Sequence, residues 1–179
     1  MFYKRNEITR EKEEIMGIRT RLAVLACKTS NAVLRRMGRG GTNLPGKIAL
    51  KIDKDILKEL SRGVKVTVVT GTNGKTTTNN MLCAAIEKEG YKVICNHTGS
   101  NMLNGVVAAF VLGAGFSGNL DADYACIEID EASTRRVFPH FKPDYMVLTN
   151  LFRDQLDRYG EIDITMNLSL IHISEPTRR

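Results

Sequence analysis

Valine- and isoleucine-rich runs alternate along the chain with stretches whose apolar residues recur every three or four positions. The runs are bounded by glycines or polar residues, and they predict four buried strands, at 65–70, 91–96, 124–129 and 145–150. The second pattern predicts helices at 18–37, 51–60, 76–89 and 104–112. Strands that alternate with helices predict an α/β fold, in which a largely parallel sheet is flanked by helices and preceded by a short helical N-terminal segment.

The two ends and one internal stretch depart from these patterns. Residues 39–46 (RGGTNLPG) are glycine-rich and predict a linker, and Asp53 or Asp55 is the predicted N-terminal cap of the helix that follows. Residues 1–15 are densely charged, and we interpret them as a non-native or disordered extension. Residues 166–179 follow neither period, and we interpret them as a non-native tail. The predicted organisation is a basic helical segment with its linker over 16–46 and a partial α/β domain over 47–165.

Composition narrows the class of protein. Hydrophobic residues make up 42% of the 179 positions, which is enough for a core and excludes wholesale disorder. No apolar run approaches the roughly 18 residues of a spanning helix, and the N-terminus lacks the apolar centre of a signal peptide, so we expect a cytoplasmic protein. The cysteines form no C-x-x-C pair, which predicts buried reduced thiols rather than a zinc knuckle; they are Cys27, Cys83, Cys95 and Cys126.

The net charge of +6 is concentrated near the N-terminus. Residues 16–52 contain no acidic residue, and the predicted helix at 18–37 is both basic and amphipathic. Two interpretations remain open: the helix packs on the following domain with a solvated basic face, or it lies peripherally against the anionic inner face of the membrane. No aromatic residues are interleaved with these charges, so nucleic acid is not an expected partner.

A phosphate-binding loop is the strongest chemical signal in the chain. It follows the first predicted strand and opens a helix, as a loop that turns its backbone N–H groups around phosphate oxygens does. Lys75 is placed to reach the terminal phosphates, and the Thr76 hydroxyl is placed to bind Mg²⁺. The alternative is a plain tight turn. The predicted ATP-binding residues of the loop are Gly71, Thr72, Asn73, Gly74, Lys75, Thr76 and Thr77.

Polar residues at the carboxyl ends of the later strands are further candidates, because ligands bind at that edge of a parallel sheet. Glu128 lies within an apolar strand, where Mg²⁺ would compensate a buried carboxylate; an ion pair with Arg135 is the alternative. The loop at 96–101 is polar and could be a plain turn. Asn150, at the end of the fourth predicted strand, and Asp154, shortly after it, are predicted to face the nucleotide.

The motifs taken together resemble a known family. The loop TGTNGKTT lacks the first glycine of the general P-loop pattern, where Val69 stands, and is similar to the loop of Mur ligases and folylpolyglutamate synthases. With RGGTNLPGKIAL, EIDEAS and NLFRDQLDRYGE, it resembles one amidating branch of the Mur ligase family over residues 16–164. The resemblance implies a P-loop-type fold, with 47–165 as an incomplete Mur ligase central ATP-binding domain.

The resemblance also implies an activity and its metal ligands. Relatives of this branch use ATP to phosphorylate the D-glutamate α-carboxylate of the lipid II stem peptide, and ammonia from a GatD-like glutaminase subunit displaces the phosphate to give D-isoglutamine. Lys75 would be the catalytic residue that stabilises the transferring phosphoryl group. Thr76 and Glu128 would hold Mg²⁺, with Glu131 as the second choice for the carboxylate. Gln155 stands where most of the family has a metal-binding histidine. Its side-chain carbonyl oxygen is a further candidate Mg²⁺ ligand, but an uncharged glutamine puts a strict two-metal site in doubt.

Relatives of this kind continue beyond the motifs found here. Their zinc-binding cysteines and a catalytic aspartate lie downstream, so we expect zinc only in that part and little or no ligase activity from this chain alone. Three other interpretations stay open: another Mur ligase or a folylpolyglutamate-synthase-type ligase, an ATP-binding module without ligase activity, and a purely structural fragment.

Overall fold

The computed structural model describes residues 17–38, 43–96 and 101–150, which form helices around a single sheet. The helices are α1 (Ile18–Arg36), α2 (Asn43–Ile52), α3 (Ile56–Ser61), α4 (Lys75–Lys88), α5 (Leu103–Gly113) and α6 (Thr134–Val137), with a 3₁₀ turn at Glu131–Ser133 before α6. The strands are β1 (Lys65–Thr70), β2 (Val93–Cys95), β3 (Tyr124–Glu128) and β4 (Tyr145–Leu148).

The sheet is parallel throughout these four strands, in the order β2-β3-β1-β4. Val68 of β1 lies beside Ile127 of β3 and Met146 of β4, which places β1 between its two neighbours. All four carboxyl ends therefore meet at one edge. The predicted α/β class with a parallel sheet is confirmed. The four strands and the helices α1, α4 and α5 begin and end within three residues of the predicted positions, whereas α6 and the 3₁₀ turn before it were not predicted.

Alternation along the strands explains how both faces of the sheet are covered. Val66 and Val68 point into a core shared with α1, α2, α3 and α5. Cys126, at the intervening position of β3, lies on the opposite face, where Asn79 of α4 donates a hydrogen bond to its carbonyl oxygen at 3.2 Å. The helices thus form a layer on each face, and α4 carries the phosphate-loop sequence to the carboxyl edge of the sheet.

The predictions for the region before β1 were wrong in two places. Helix α2 begins at Asn43, inside the segment predicted as a linker, and it ends at Ile52 rather than continuing to residue 60. Gly46 explains the helix in that place: a Cβ there would lie 2.7 Å from the carbonyl carbon of Asn104 in α5, so the glycine permits two helices to cross in close contact. The glycine marks a packing contact rather than a loop.

Asp53 also acts differently from the predicted cap. Its carboxylate accepts the backbone N–H of Asp55 at 3.0 Å and the hydroxyl of Thr20 in α1 at 2.6 Å. Asp55 occupies the N-cap position of α3, but its side chain makes no capping hydrogen bond within the described residues. Asp53 lies between α2 and α3, and its carboxylate therefore links the junction of these two helices to α1.

Within the part of the chain that the structure describes, no helix is both long and apolar enough to cross a membrane. Residues 1–15, interpreted above as an extension, and residues 166–179, interpreted as a tail, lie outside the described residues.

Candidate phosphate and metal site

The loop between β1 and α4 is built around two glycines. Gly71 has φ +127° and Gly74 has φ +79°, both in the region that favours glycine. A Cβ at Gly71 would lie 2.7 Å from the carbonyl oxygen of Asn150, whereas a Cβ at Gly74 would meet nothing within 4 Å. Gly71 is therefore needed for both backbone conformation and close packing, and Gly74 for conformation alone.

The end of β4 fixes the conformation of this loop. The carbonyl oxygen of Asn150 accepts the Thr72 N–H at 2.9 Å, and its side-chain oxygen accepts the Asn73 N–H at 2.9 Å. The Thr149 hydroxyl donates to the Asn73 carbonyl oxygen at 2.7 Å. Asn150, predicted to face a nucleotide, thus contacts the backbone of the loop. Asp154 and Gln155 lie outside the described residues, as do positions 97–100 of the polar loop after β2.

Lys75, the first residue of α4, folds back over the loop. Its ammonium group donates to the carbonyl oxygens of Gly71 and Thr72, the latter at 3.2 Å, and lies 3.8 Å from a carboxylate oxygen of Glu131. No acidic residue lies in the first turn of α4, so the positive end of the helix is not compensated within that turn. A cation and a helix N-terminus converge here, as at anion-binding loops.

Thr76 and Glu128 bring two oxygen ligands together across 52 positions of sequence. The Thr76 hydroxyl donates to a carboxylate oxygen of Glu128 at 2.7 Å, and Glu128 is only 3% exposed at the end of β3. A buried carboxylate with a neutral hydroxyl partner is a costly arrangement that a bound cation would improve. Hydroxyl and carboxylate oxygens are also ligands that Mg²⁺ prefers, so this pair fits that ion.

The backbone of Glu128 is held by Asn96, which follows β2. The Asn96 side chain donates to the Glu128 carbonyl oxygen at 2.7 Å and accepts the Glu128 N–H at 2.8 Å. Strand β2 ends at Cys95, so the amide of Asn96 continues the ladder where the backbone of β2 does not. Asn79 of α4 in turn donates to the Asn96 oxygen at 3.4 Å. Through Asn96 and Asn79, these contacts connect the backbone of Glu128, the candidate Mg²⁺ ligand, to α4, the helix that follows the loop.

The sequence did not predict the residues that support the loop and Glu128, namely Asn79, Asn96 and Thr149. Asn79 is buried although it lies on a helix that is mostly exposed, and Thr149 lies within the predicted fourth strand whereas β4 ends at Leu148. Two buried oxygens near the loop, Thr70 Oγ1 and Asn79 Oδ1, have no hydrogen-bond partner among the described residues. The sequence carries no signal for Asn79, because it lies in a run of six polar residues from Lys75 to Asn80.

Three cysteine thiols, those of Cys83, Cys95 and Cys126, are neighbours around α4. The Cys83 thiol hydrogen-bonds to Cys126 and Cys95, which raises the pKa of Cys83 and lowers that of Cys126. Cys83 and Cys126 are buried as predicted, while Cys95 is half-buried. Across the described ranges, no group of three or more His, Cys, Asp or Glu residues is arranged to hold a metal ion.

The chain is similar to a known protein family and to several named proteins. Residues 69–169 match the Mur ligase middle domain family. The chain is 46% identical over 156 residues to the lipid II isoglutaminyl synthase (glutamine-hydrolyzing) subunit MurT of Streptococcus pneumoniae, covering 87% of this chain and 34% of that protein. It is 45% identical over 147 residues to the subunit of the same name from Staphylococcus aureus, covering 82% and 32%.

A more distant similarity extends to another class of ligase. Over 114 residues the chain is 28% identical to a UDP-N-acetylmuramate–L-alanine ligase of Mycobacteroides abscessus, covering 60% of this chain and 20% of that protein. The chain spans about a third of the length of the MurT relatives, which are 34% and 32% covered.

Proposed function

The chain belongs to the Mur ligase family, and on that premise we propose that it is the ATP-binding part of an enzyme that amidates a peptidoglycan precursor. The substrate would be the D-glutamate α-carboxylate of the lipid II stem peptide, and the product D-isoglutamine. The similarity to two proteins named as subunits of a glutamine-hydrolyzing lipid II isoglutaminyl synthase supports this substrate and a GatD-like glutaminase partner. The observation that carries the proposal is the loop of Lys75 beside the Thr76–Glu128 pair.

The proposed reaction has two displacements. A substrate carboxylate oxygen attacks the γ-phosphorus of ATP, the bond to the bridging oxygen breaks, and ADP leaves with that electron pair. Ammonia released from glutamine by the partner then attacks the acyl carbon, loses a proton, and displaces inorganic phosphate. The product is an amide, and one ATP and one glutamine are consumed for each carboxylate.

Lys75, Thr76, Glu128 and the backbone of the loop have separate roles in this scheme. The ammonium of Lys75 exchanges the carbonyl oxygens of Gly71 and Thr72 for phosphoryl oxygens, where it stabilises the charge that develops during transfer. The backbone N–H groups of the loop and the first turn of α4 orient the phosphates. Thr76 and Glu128 would hold Mg²⁺, which supplies charge neutralisation at the phosphates when bound.

Calorimetric titration with Mg-ATP tests the nucleotide site on this chain. Lys75→Ala should lose at least about tenfold in affinity, because an ammonium paired with phosphate is removed. Lys88→Ala, an exposed lysine at the opposite end of the same helix, is the matched control and should bind like the unaltered protein. Equal binding by Lys75→Ala would contradict the proposed role of the loop.

A second pair of variants tests which carboxylate, that of Glu128 or that of Glu131, binds Mg²⁺. Glu128→Gln should abolish the increase in ATP affinity on adding Mg²⁺, because its buried carboxylate contacts Thr76. Glu131→Gln should retain that increase, since Glu131 lies beside the Lys75 ammonium instead. The opposite result would assign the metal to Glu131.

The amidation itself is tested by supplying the protein with lipid II, ATP, glutamine and the glutaminase subunit and detecting D-isoglutamine by mass spectrometry.

A further inference from the structure

Helix α1 has apolar side chains on two opposite faces. One face is buried against the rest of the protein and comprises Thr20, Ala23, Val24 and Cys27. The other is between 48% and 78% exposed and comprises Ile18, Leu22, Leu25 and Val33, together with Met37 at the C-cap position directly after α1. At 100° per residue these five positions lie within one sector of the helix surface, about opposite to the buried face. We call these five residues the α1 outer face.

The charges around the α1 outer face are all positive. Four exposed arginines lie on the same helix: Arg19, Arg21, Arg35 and Arg36. No acidic residue occurs from Gly17 to Ile52, so α2, which packs against α1, adds Lys47 and Lys51 without compensating them. An exposed aliphatic stripe with only basic charges around it is complementary to a surface that offers hydrocarbon beneath a layer of phosphates.

We propose that the α1 outer face docks the protein on an anionic phospholipid bilayer, with the helix lying in the plane of the interface. A helix of 19 residues is about 28 Å long, which lets the aliphatic side chains enter the headgroup boundary along one line while the arginines contact lipid phosphates. The buried face of α1 stays packed on the core, so docking requires no unfolding. The inference rests on α1 alone and holds whether or not the chain belongs to an amidating enzyme.

A lipid surface fits these observations better than a protein partner does. A protein partner that buried five aliphatic side chains would need acidic residues at fixed positions opposite the arginines. A bilayer rich in phosphatidylglycerol supplies negative charge everywhere on its surface. Attraction to such a bilayer does not depend on the register of the charges along the helix. The salt dependence of binding should accordingly be strong.

Vesicle flotation gives the first test. The protein should bind vesicles of equal parts phosphatidylglycerol and phosphatidylcholine and bind phosphatidylcholine vesicles much less. Leu22→Gln with Leu25→Gln should lower the partition coefficient at least about tenfold, because the apolar contribution of two side chains is removed. Arg19→Gln with Arg21→Gln should lower it by a similar factor and weaken its salt dependence. Met81→Gln, at an exposed apolar position of α4, and Lys88→Gln should leave it unchanged.

A fluorescence measurement identifies which face enters the lipid. The chain contains no tryptophan, so Leu22→Trp and Met81→Trp each introduce a single reporter. Only the emission of Leu22→Trp should shift to the blue on adding anionic vesicles, and brominated lipid should quench it. All these variants are at exposed positions, and circular dichroism with thermal unfolding checks that they fold like the unaltered protein.

Three results would overturn the proposal: no binding of the unaltered protein to anionic vesicles, equal binding to both vesicle types, or undiminished binding of the doubly substituted Leu22 and Leu25 variant. A fourth would reassign the surface. If the protein does not bind vesicles but sediments as a dimer that the same double substitution dissociates, the α1 outer face belongs to an interface with a second copy of the chain.

Discussion

Gly71 and Gly74 allow the two reasons for a glycine in the phosphate loop to be separated. Both have positive φ, +127° and +79°, but only Gly71 faces backbone atoms at short range, with the Asn150 carbonyl oxygen 2.7 Å and the Asn150 nitrogen 2.9 Å from a Cβ placed there. Gly74→Ala therefore tests backbone conformation alone. Gly71→Ala tests conformation together with the contact between the loop and the end of β4.

The expected magnitudes follow from those contacts. A non-glycine residue in the left-handed region costs about 1–2 kcal/mol, so Gly74→Ala should lower the free energy of unfolding by that amount. Gly71→Ala adds an overpacking cost of about 1–3 kcal/mol, because backbone atoms cannot rotate away as a side chain can. Its total loss should be about 2–5 kcal/mol, a large part of the roughly 5–15 kcal/mol of a typical domain.

Guanidinium unfolding followed by circular dichroism at 222 nm measures both losses, since the chain has no tryptophan to report by fluorescence. The slope of the transition should be the same for both variants, so that the midpoints compare directly. If Gly71→Ala is no less stable than Gly74→Ala, the loop does not pack on β4 as described, and the support that Thr149 and Asn150 give the loop would have to be abandoned.

Three further changes test other parts of the structure. Gly46→Ala should lower the free energy of unfolding by about 1–3 kcal/mol in thermal or guanidinium unfolding, because its Cβ would meet the backbone of α5; Gly17→Ala, which has only a 3.9 Å contact, should be neutral, and equal stability of the two would contradict the close crossing. Asn96→Ala leaves the backbone N–H and carbonyl of Glu128 buried without their Asn96 partners, so it should lower the free energy of unfolding by about 2–4 kcal/mol. Mg-ATP binding measured by calorimetry should also be weaker, and an unchanged affinity would show that Asn96 does not support the site. Burial raises the pKa of Cys27 to about 11 from 9.0, so the folded state keeps a proton that the unfolded state loses. Its contribution is complete below about pH 9 and is lost as pH rises toward 11; the stability difference between the protein and Cys27→Ala should shrink by roughly 1–2 kcal/mol over that interval, and a constant difference would refute the assignment.

Local pattern was sufficient for most of the fold and failed where a distant segment decides the conformation. The run from Lys65 to Thr70 is rich in β-branched residues and lies between Gly63 and Gly71, so neighbours in sequence already specify a buried strand. The segment around Gly46 has the composition of a loop, yet it is helical because its glycine lies against Asn104. Nothing within several residues of Gly46 indicates that contact.

The same division applies to the candidate site. Lys75 and Thr76 could be found from one short motif, because a strand, a glycine loop and a helix follow one another directly. Asn150, Asn96 and Asn79 hold the site together through partners 77, 32 and 47 positions away, respectively. A side chain whose partner is so distant leaves no periodic signal, so these roles emerged only when the sheet brought the strand ends together.

The charged groups of the candidate site have partners inside the protein, which a ligand must replace. The Lys75 ammonium is held by two loop carbonyls and lies near Glu131, and the Glu128 carboxylate is held by the Thr76 hydroxyl. A nucleotide with its metal would have to displace the contacts of both. Phosphate alone would release the lysine but leave the buried carboxylate uncompensated, whereas the metal alone would set a second positive charge near the ammonium. Binding of metal and nucleotide should therefore be coupled, each raising the affinity for the other by the same factor, because the coupling free energy between two ligands is reciprocal.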